Sequence, residues 1–506
     1  MKFVVTTAQM KNAEDISALN SVSKMQLMEN AGEACAKAID DMLGGAGGKN
    51  VVVLSGKGNN GGDGIVIAKN LSRMGAQAPV ILVSGQPMSA EARAAFAKYS
   101  DQCIVVAYES RPDAVHNALA SADLIVDCVF GTGFKGQLDG GTAELFAYIN
   151  DLKSVKRLSV DIPSGVNGDT GEIAQNAFKP HTTLVLGAMK QGLLNHPCFD
   201  FCGEIQLLDI GITENCYRDY AAQMTDESIM KLLLPRPKNS NKGNYGRLVN
   251  IAGSAYYCGA AMLSSRAALR AGAGIVTLAT PKRVVNAIAA AIPEVVFYPL
   301  DQNEDGFMER NAAKRLGLPL IDATAVAMGC GMGNNDNSRI IVRTVLKTGN
   351  CPLILDADGI NCIANNINVI KDSGRPIIMT PHPRELSRAT GLSVQEIQSD
   401  RLNIAKRFAR EMNVVLLLKG VNTVIAAPDG RTFVNSTGNP ALAKAGTGDV
   451  LTGIIGGLLA QGMEPFYAAA LGAYVHGKCA DKLVENASEA SILASDIIEY
   501  LPYVLS

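Results

Sequence analysis

The chain has no tryptophan, and only 13 tyrosines and 13 phenylalanines among its 506 residues. Any nucleotide base it grips must therefore be held by backbone, aliphatic or tyrosine contacts, not on an indole. Neither sign of charge is in excess. The 46 basic residues face 48 acidic ones, for a formal net charge of −2, which argues against a nucleic-acid-binding surface as the main business. No apolar run reaches the ~20 residues that span a bilayer. Met1 to Met10 lacks the sustained apolar core of a signal peptide. The 11 cysteines include no C-x-x-C pair, and the nearest neighbours, Cys198 and Cys202, are not followed by His or Cys at zinc-finger spacing. Dispersed thiols in an odd number fit a reducing cytoplasm and argue against a structural metal held by cysteine. No nucleic-acid or membrane partner is expected.

What is present is alternation. The length predicts two domains or three. Short apolar runs at 51–54, 79–83, 104–106, 124–126, 158–160, 183–186 and 205–208 read as strands separated by helical patterns. The amphipathic stretch Lys24 to Leu43 precedes them. A second series, at 247–252, 275–278, 295–298, 325–328, 353–355, 377–379, 414–418 and 423–426, follows a proline-containing polar break at 235–243. Both series are α/β, with the first read as a doubly wound sheet. The boundary is set at 222/223. Thr225 to Leu233 reads as a capped helix leading into the second domain.

The most informative stretch is Gly56-Lys57-Gly58-Asn59-Asn60-Gly61-Gly62-Asp63-Gly64, directly after Val51-Val52-Val53-Leu54. It reads as a glycine-rich turn ahead of a helix starting near Ile65. It is neither the dinucleotide fingerprint nor the Walker loop. Such a turn aims N–H groups at one point that suits a phosphate, and its Asn and Asp oxygens suit a hydroxyl or a cation. Asp127 ends the next strand and is followed by Gly131 and Gly133. Asp161 and Ser164 end another. In an open parallel sheet, ligands bind at that edge. Oxygen donors without His or Cys favour a hard cation, and a carboxylate beside it can act as acid or base.

In the second half, Gly446-Thr447-Gly448-Asp449 opens an apolar helix. Its amides make an anion hole, and Asp449 can take a proton from an attacking hydroxyl while the hole neutralises a moving phosphate. Lys419-Gly420-Val421-Asn422-Thr423, Gly329-Cys330-Gly331-Met332-Gly333 and Thr380-Pro381-His382-Pro383 also follow strands and belong to the same site. Asp356-Ala357-Asp358 reads as a supporting or capping segment.

These motifs together resemble the bifunctional NAD(P)H-hydrate repair family, an NAD(P)HX epimerase domain followed by an ADP-dependent NAD(P)HX dehydratase domain. The first half is similar through Leu27-Met28-Glu29-Asn30-Ala31-Gly32, Gly58 to Gly64, Phe130 to Gly133 and Asp161-Ile162-Pro163-Ser164-Gly165. The second is similar through Lys242-Gly243-Asn244-Tyr245-Gly246, Ala268 to Gly274, Asp356-Ala357-Asp358, Thr380 to Pro383 and Gly446 to Asp449. The resemblance implies a Rossmann-like domain at 1–222 and a ribokinase-like domain at 223–506. It implies that Asn59, Asn60, Gly61, Gly62, Asp63, Gly131, Thr132, Gly133, Phe134, Lys135, Gly136, Gln137 and Asp161 contact hydrated NADH or NADPH. Asn60, Asp127 and Ser164 would hold K+. In the dehydratase, Ala261, Gly333, His382 and Asp449 would face the hydrate. ADP would bind on Lys419, Gly420, Val421, Asn422 and Thr423, and on Asn439, Pro440, Ala441, Leu442, Ala443, Lys444, Ala445, Gly446, Thr447 and Gly448. Mg2+ is expected with the nucleotide, and a homo-oligomer is expected.

Asp161 and Asp449 are the expected catalytic groups. Four positions depart from the family pattern: Arg384 and Ala445 stand where glycine is common, Cys330 for proline, and Asn241 for histidine. The alternative is a ribokinase-like small-molecule kinase carrying a non-catalytic N-terminal binding domain.

Overall fold

The structure is a computed structural model that describes residues 2–506. The chain divides into two compact units, Lys2–Ala222 and Gln223–Ser506.

The first unit is built on a seven-stranded sheet in the order Val105–Ala107, Val80–Leu82, Val51–Ser55, Leu124–Cys128, Lys156–Val160, Thr182–Leu186, Glu204–Leu208. Every pair in it is parallel. The central strands are buried on both faces, which is why they read as continuous apolar runs and not as alternations. Strand order reverses between Val51–Ser55 and Leu124–Cys128, and such a reversal opens a crevice at the carboxyl edge of the sheet.

The second unit's sheet runs Val296–Leu300, Ile275–Pro281, Arg247–Ile251, Ala325–Met328, Leu353–Leu355, Ile377–Met379, Val415–Leu418, Val424–Ala426, Thr432–Val434. It is parallel through Val415–Leu418 and antiparallel over the last two strands. Its order reverses between Arg247–Ile251 and Ala325–Met328. Helices Cys258–Arg270 and Thr447–Ala460 pack closely together. A Cβ at Gly453 would fall 2.2 Å from the Ser264 carbonyl oxygen, and one at Gly457 2.5 Å from that of Ala268. The small residues of the Val450–Leu459 segment therefore bring two backbones together.

One expected helix is shorter and tighter. Residues 225–233 do not form an α-helix. Asp226 caps a 3-10 segment, Glu227–Leu232. Thr225 instead bonds Asn435, its Oγ1 donating to Oδ1 at 3.1 Å. That bond, with the pairing of Gln223 and Met224 to Phe433 and Val434, ties the entry of the chain to strand Thr432–Val434.

Two candidate active sites

Helix Asn59–Arg73 begins three residues after strand Val51–Ser55. Asn59 to Gly64 are therefore its first turns, not a free turn ahead of it. Packing explains the difference. A Cβ on Gly61 would lie 2.0 Å from the Gly56 oxygen, on Gly62 2.6 Å from Met28 Cε, and on Gly64 2.9 Å from Cys128 Cβ. Contact with the sheet and with Lys24–Leu43 outweighs the ~1 kcal/mol that each helical glycine costs.

Asn60, Asp127 and Ser164 converge. Asp127 is wholly buried at the end of its strand. It accepts from Ser164 Oγ at 2.6 Å, Ser164 N at 2.9 Å, Ser159 Oγ at 2.9 Å and Val129 N at 3.1 Å. Burial still pushes its carboxyl up to about 6, against the pull of those bonds. Phe130 links the three residues. Its N–H donates to Ser164 Oγ at 2.7 Å and its carbonyl accepts from Asn60 Nδ2 at 2.9 Å. Asn60 Oδ1 is buried with no hydrogen-bond partner. A buried oxygen without a donor, beside a buried carboxylate, fits a hard cation.

Asp161 has φ +68°, a left-handed conformation that costs energy in a non-glycine residue and gathers at functional sites. Its Oδ1 accepts from the Lys190 ammonium and from Leu186 N–H at 3.3 Å. Lys190 Nζ also donates to the Leu186 carbonyl at 2.8 Å. Lys190 is fully buried. Both residues line a cavity of about 740 Å³ with Glu14, Asn60 and Asp63. Burial, then Asp161 and Glu14, hold the Asp63 carboxyl well above the usual range. Burial also raises Glu14, with Lys190 opposing. Asn59, Gly131, Thr132, Gly133, Phe134, Lys135 and Gln137 are on the same walls. Gly61, Gly62 and Gly136 are not among the lining residues.

In the second unit, Asp356 occupies the centre instead of the margin that its strand-end position suggested. It accepts from Lys419 Nζ, Thr380 Oγ1 and Thr452 Oγ1, each at 2.8 Å. Burial works against its ionisation, but Lys419 and these bonds hold its pKa below the ordinary value. Its carboxylate, the Cys330 thiol and the Asp449 carboxylate offer atoms within 4.8 Å of one another. Asp449 sits in the first turn of helix Thr447–Ala460, behind Gly446 with φ +91°. Burial first, then Asp356, pushes Asp449 up to about 6. A Cβ on Gly448 would lie 3.7 Å from Lys419 Nζ. The lysine and the helix-start amides therefore border one space, as anion binding needs. Thr447 Oγ1 fixes the preceding loop by donating to the Leu442 and Lys444 carbonyls at 2.8 and 2.9 Å. Asn439 caps Pro440–Leu442 and donates to Asp481 at 2.9 Å.

His382 caps helix Pro383–Thr390, its Nδ1 accepting from Glu385 N at 3.2 Å. Arg384 is exposed on that helix and leaves the cap intact. Gly333 N–H donates to Asp358 at 2.8 Å, and Ala261 is buried against Gly253.

Sequence reasoning passed over Glu14, Lys190 and Arg401. Lys190 carried one signal, a lysine just past an apolar strand. Arg401 is buried and donates to the Leu418 and Lys419 carbonyls at 3.0 and 3.2 Å, so it braces the Lys419–Thr423 loop. Gly420 has φ +143°, and a Cβ there would press on that guanidinium at 3.0 Å.

A family model described as NAD(P)H-hydrate dehydratase matches residues 248–503, and one described as YjeF-related protein N-terminus matches residues 24–192. The bifunctional NAD(P)H-hydrate repair enzyme Nnr of Moorella thermoacetica is 36% identical over 99% of this chain and 96% of its own. The chain belongs to the bifunctional NAD(P)H-hydrate repair family. The Nnr of Coxiella burnetii is 33% identical, with 99% of each chain covered. Among solved structures, the ADP/ATP-dependent NAD(P)H-hydrate dehydratase of Bacillus subtilis, co-crystallised with ATP and Mg2+, is 35% identical. It covers 56% of this chain and 97% of its own, with a TM-score of 0.49. Membership in the repair family joins an epimerase domain to a dehydratase domain in one polypeptide. The kinase alternative loses its support, because likeness to repair enzymes runs through both halves. No helix among the described residues is long and apolar enough to cross a membrane.

Proposed function

We propose that the chain repairs hydrated NADH and NADPH, with the first unit interconverting the R and S hydrates and the second dehydrating the S form at the expense of ADP. The convergence of Asp449, Lys419 and the Gly446–Gly448 amides on one space carries the dehydratase reading. The hydrate bears a hydroxyl at C6, a poor leaving group. Asp449 takes its proton as the oxygen attacks the terminal phosphate of ADP. An O–P bond forms, the P–O bond to AMP breaks, and AMP leaves. The ring nitrogen then expels phosphate from C6, and loss of a C5 proton restores the double bond. Lys419 and the glycine amides stabilise charge on the transferring group. Asp356 is already paired with Lys419, so Mg2+ would ride on the nucleotide's phosphate oxygens and neutralise them.

In the first unit, Asn60, Asp127 and Ser164 would hold K+, which supplies positive charge beneath the cavity. Asp161 is the proton-handling group, and Lys190 positions it. A cytoplasmic setting suits the free cysteines, and assembly as a homo-oligomer belongs to the same proposal.

The test mixes the purified full chain with both hydrate epimers and ADP, then ATP, and follows recovery of the reduced-nicotinamide absorbance together with AMP and phosphate. Complete recovery from a mixture of epimers supports both activities. Recovery that stops at the S fraction removes the epimerase. A stable phosphorylated product replaces the dehydratase with a kinase.

A further inference from the structure

A chain without tryptophan has few flat surfaces for a base. Yet two exposed tyrosines stand side by side at the edge of the second unit's sheet. Tyr256 is 70% and Tyr257 55% exposed. They lie between strand Arg247–Ile251 and helix Cys258–Arg270, where the strand order reverses. In an open α/β sheet that is where ligands enter. The Tyr256 ring stacks on Phe307, with centroids 5.5 Å apart and planes at 28°. The pair is held by backbone, with Ala255 N–H donating to the Gly306 carbonyl at 3.1 Å.

The glycine loop of the site is moulded to the Phe307 ring and to the stem of Tyr257. Gly333 has φ +78°, and a Cβ there would strike Phe307 at 2.4 Å. Gly331 has φ +65°, and a Cβ there would strike Tyr257 Cβ at 2.6 Å. Cys330, next in the loop, faces Asp356 and Asp449. The rings therefore continue the reaction site outward.

Strand order says which nucleotide they meet. Each step across a sheet is ~4.8 Å. Strand Arg247–Ile251, which carries the tyrosines, lies two steps from Leu353–Leu355, which delivers Asp356, or about 10 Å. Strand Val415–Leu418, which delivers Lys419, lies two steps beyond on the other side. A nucleotide on Lys419–Thr423 thus occupies one flank of Asp449, and the rings occupy the opposite flank. The hydrated nicotinamide ring must present its C6 hydroxyl to Asp449 and is no longer flat. What remains of the repaired dinucleotide, on the flank away from ADP, is its adenine.

We propose that Tyr256, Tyr257 and Phe307 form a stacking platform for the adenine of the hydrated dinucleotide, so that the dehydratase measures its substrate by both ends. This rests on the dehydratase reading above. Base–aromatic stacking survives loss of base-specific hydrogen bonds, and removing one ring weakens binding by about tenfold. The platform makes no demand on the ribose 2′ position, so it serves hydrated NADH and NADPH alike.

The test uses the full chain with saturating ADP and two substrates, hydrated NADH and the hydrated mononucleotide that lacks the adenosine half. Wild type is expected to show a KM for the dinucleotide at least tenfold below that for the mononucleotide. Tyr256→Ala, at an exposed position where the ring's packing partner is Phe307, raises the dinucleotide KM about tenfold while the mononucleotide and ADP KM values hold. Tyr256→Phe keeps the ring and the low KM. Equal KM values for the two substrates on wild type, or no response to Tyr256→Ala, would overturn the platform alone. A change of native mass in Tyr256→Ala, with KM recovering at higher protein concentration, would reassign the tyrosines to a contact between copies of the chain. A wild-type chain that releases no NADH from its hydrate would sink the dehydratase reading itself.

Discussion

Each half of the chain buries a lysine–aspartate pair beside a further carboxylate, but the paired aspartate lines the cavity in the first half and is sealed away in the second. In the first unit the pair is Lys190–Asp161 and the neighbour is Asp63. In the second the pair is Lys419–Asp356 and the neighbour is Asp449. Asp161 lines the cavity itself, turned there by a left-handed backbone. Asp356 is sealed behind Thr380 and Thr452, and only Asp449, in the opening turn of a helix, reaches the anion-binding space. Pairing with lysine favours the charged form of an acid, and burial without a partner favours the neutral one. On the proposed roles, the acid of the first site is held by a lysine, while that of the second is a weakened acid, its pKa raised to about 6 by burial and Asp356.

The strongest way to break that contrast is to delete the acid proposed to handle the proton in each half. Asp449→Ala should lower dehydration of the S hydrate by ~10²–10⁴ and leave R-to-S conversion intact, read as NADH recovery and as epimer ratio. Asp161→Ala should lower R-to-S conversion by a similar ~10²–10⁴ and spare dehydration. If it does not, and Asp63→Asn does, the proton carrier in both halves is the unpaired acid and the contrast disappears. Lys190→Met leaves Asp161 buried without its cation. Breaking such a pair costs about 3–5 kcal/mol, so the first unit's thermal transition should drop well below that of Asp161→Asn/Lys190→Met, which removes both charges.

A smaller effect is the pH dependence. Asp449 acts as a base only when ionised, and its pKa is raised to about 6. Dehydration should therefore be full above that value and fall as pH drops through it, by about tenfold per unit. The mildest perturbation tests the proposed K+ site by replacing K+ in the assay with a large organic cation. It should slow epimerisation and lower the first unit's melting temperature by a few degrees, since an ion that binds only the folded state stabilises it, while dehydration of the S hydrate is unchanged.

Strand positions were legible because parallel strands buried on both faces leave bare apolar runs, and polar residues mark where they stop. Val51–Ser55 and Ala325–Met328 are examples. The same rule found Asp127, Asp161 and Ser164, and could have promoted Asp356, which ends its strand in the same way. Asn59 to Gly64 misled because glycine's poor helix propensity is visible in sequence, whereas the Gly56 carbonyl, Met28 and Cys128 that demand it are not. Arg401, and Lys190 but for its place just past an apolar strand, were hard to read for a related reason. A lone basic residue reads as surface, and only the fold shows that backbone carbonyls and a carboxylate surround it.

The left-handed backbone at Asp161 also limits how this position can drift through evolution. Besides aspartate, asparagine and glycine sit there with least strain, and both abandon the charge. Glutamate keeps the charge but fits that conformation worse and extends the carboxylate by a methylene. The residue has no gentle neighbour in sequence space, so if Asp161 handles the proton as proposed, a lineage that loses this acid in one step loses epimerisation with it and must lean on the S hydrate alone.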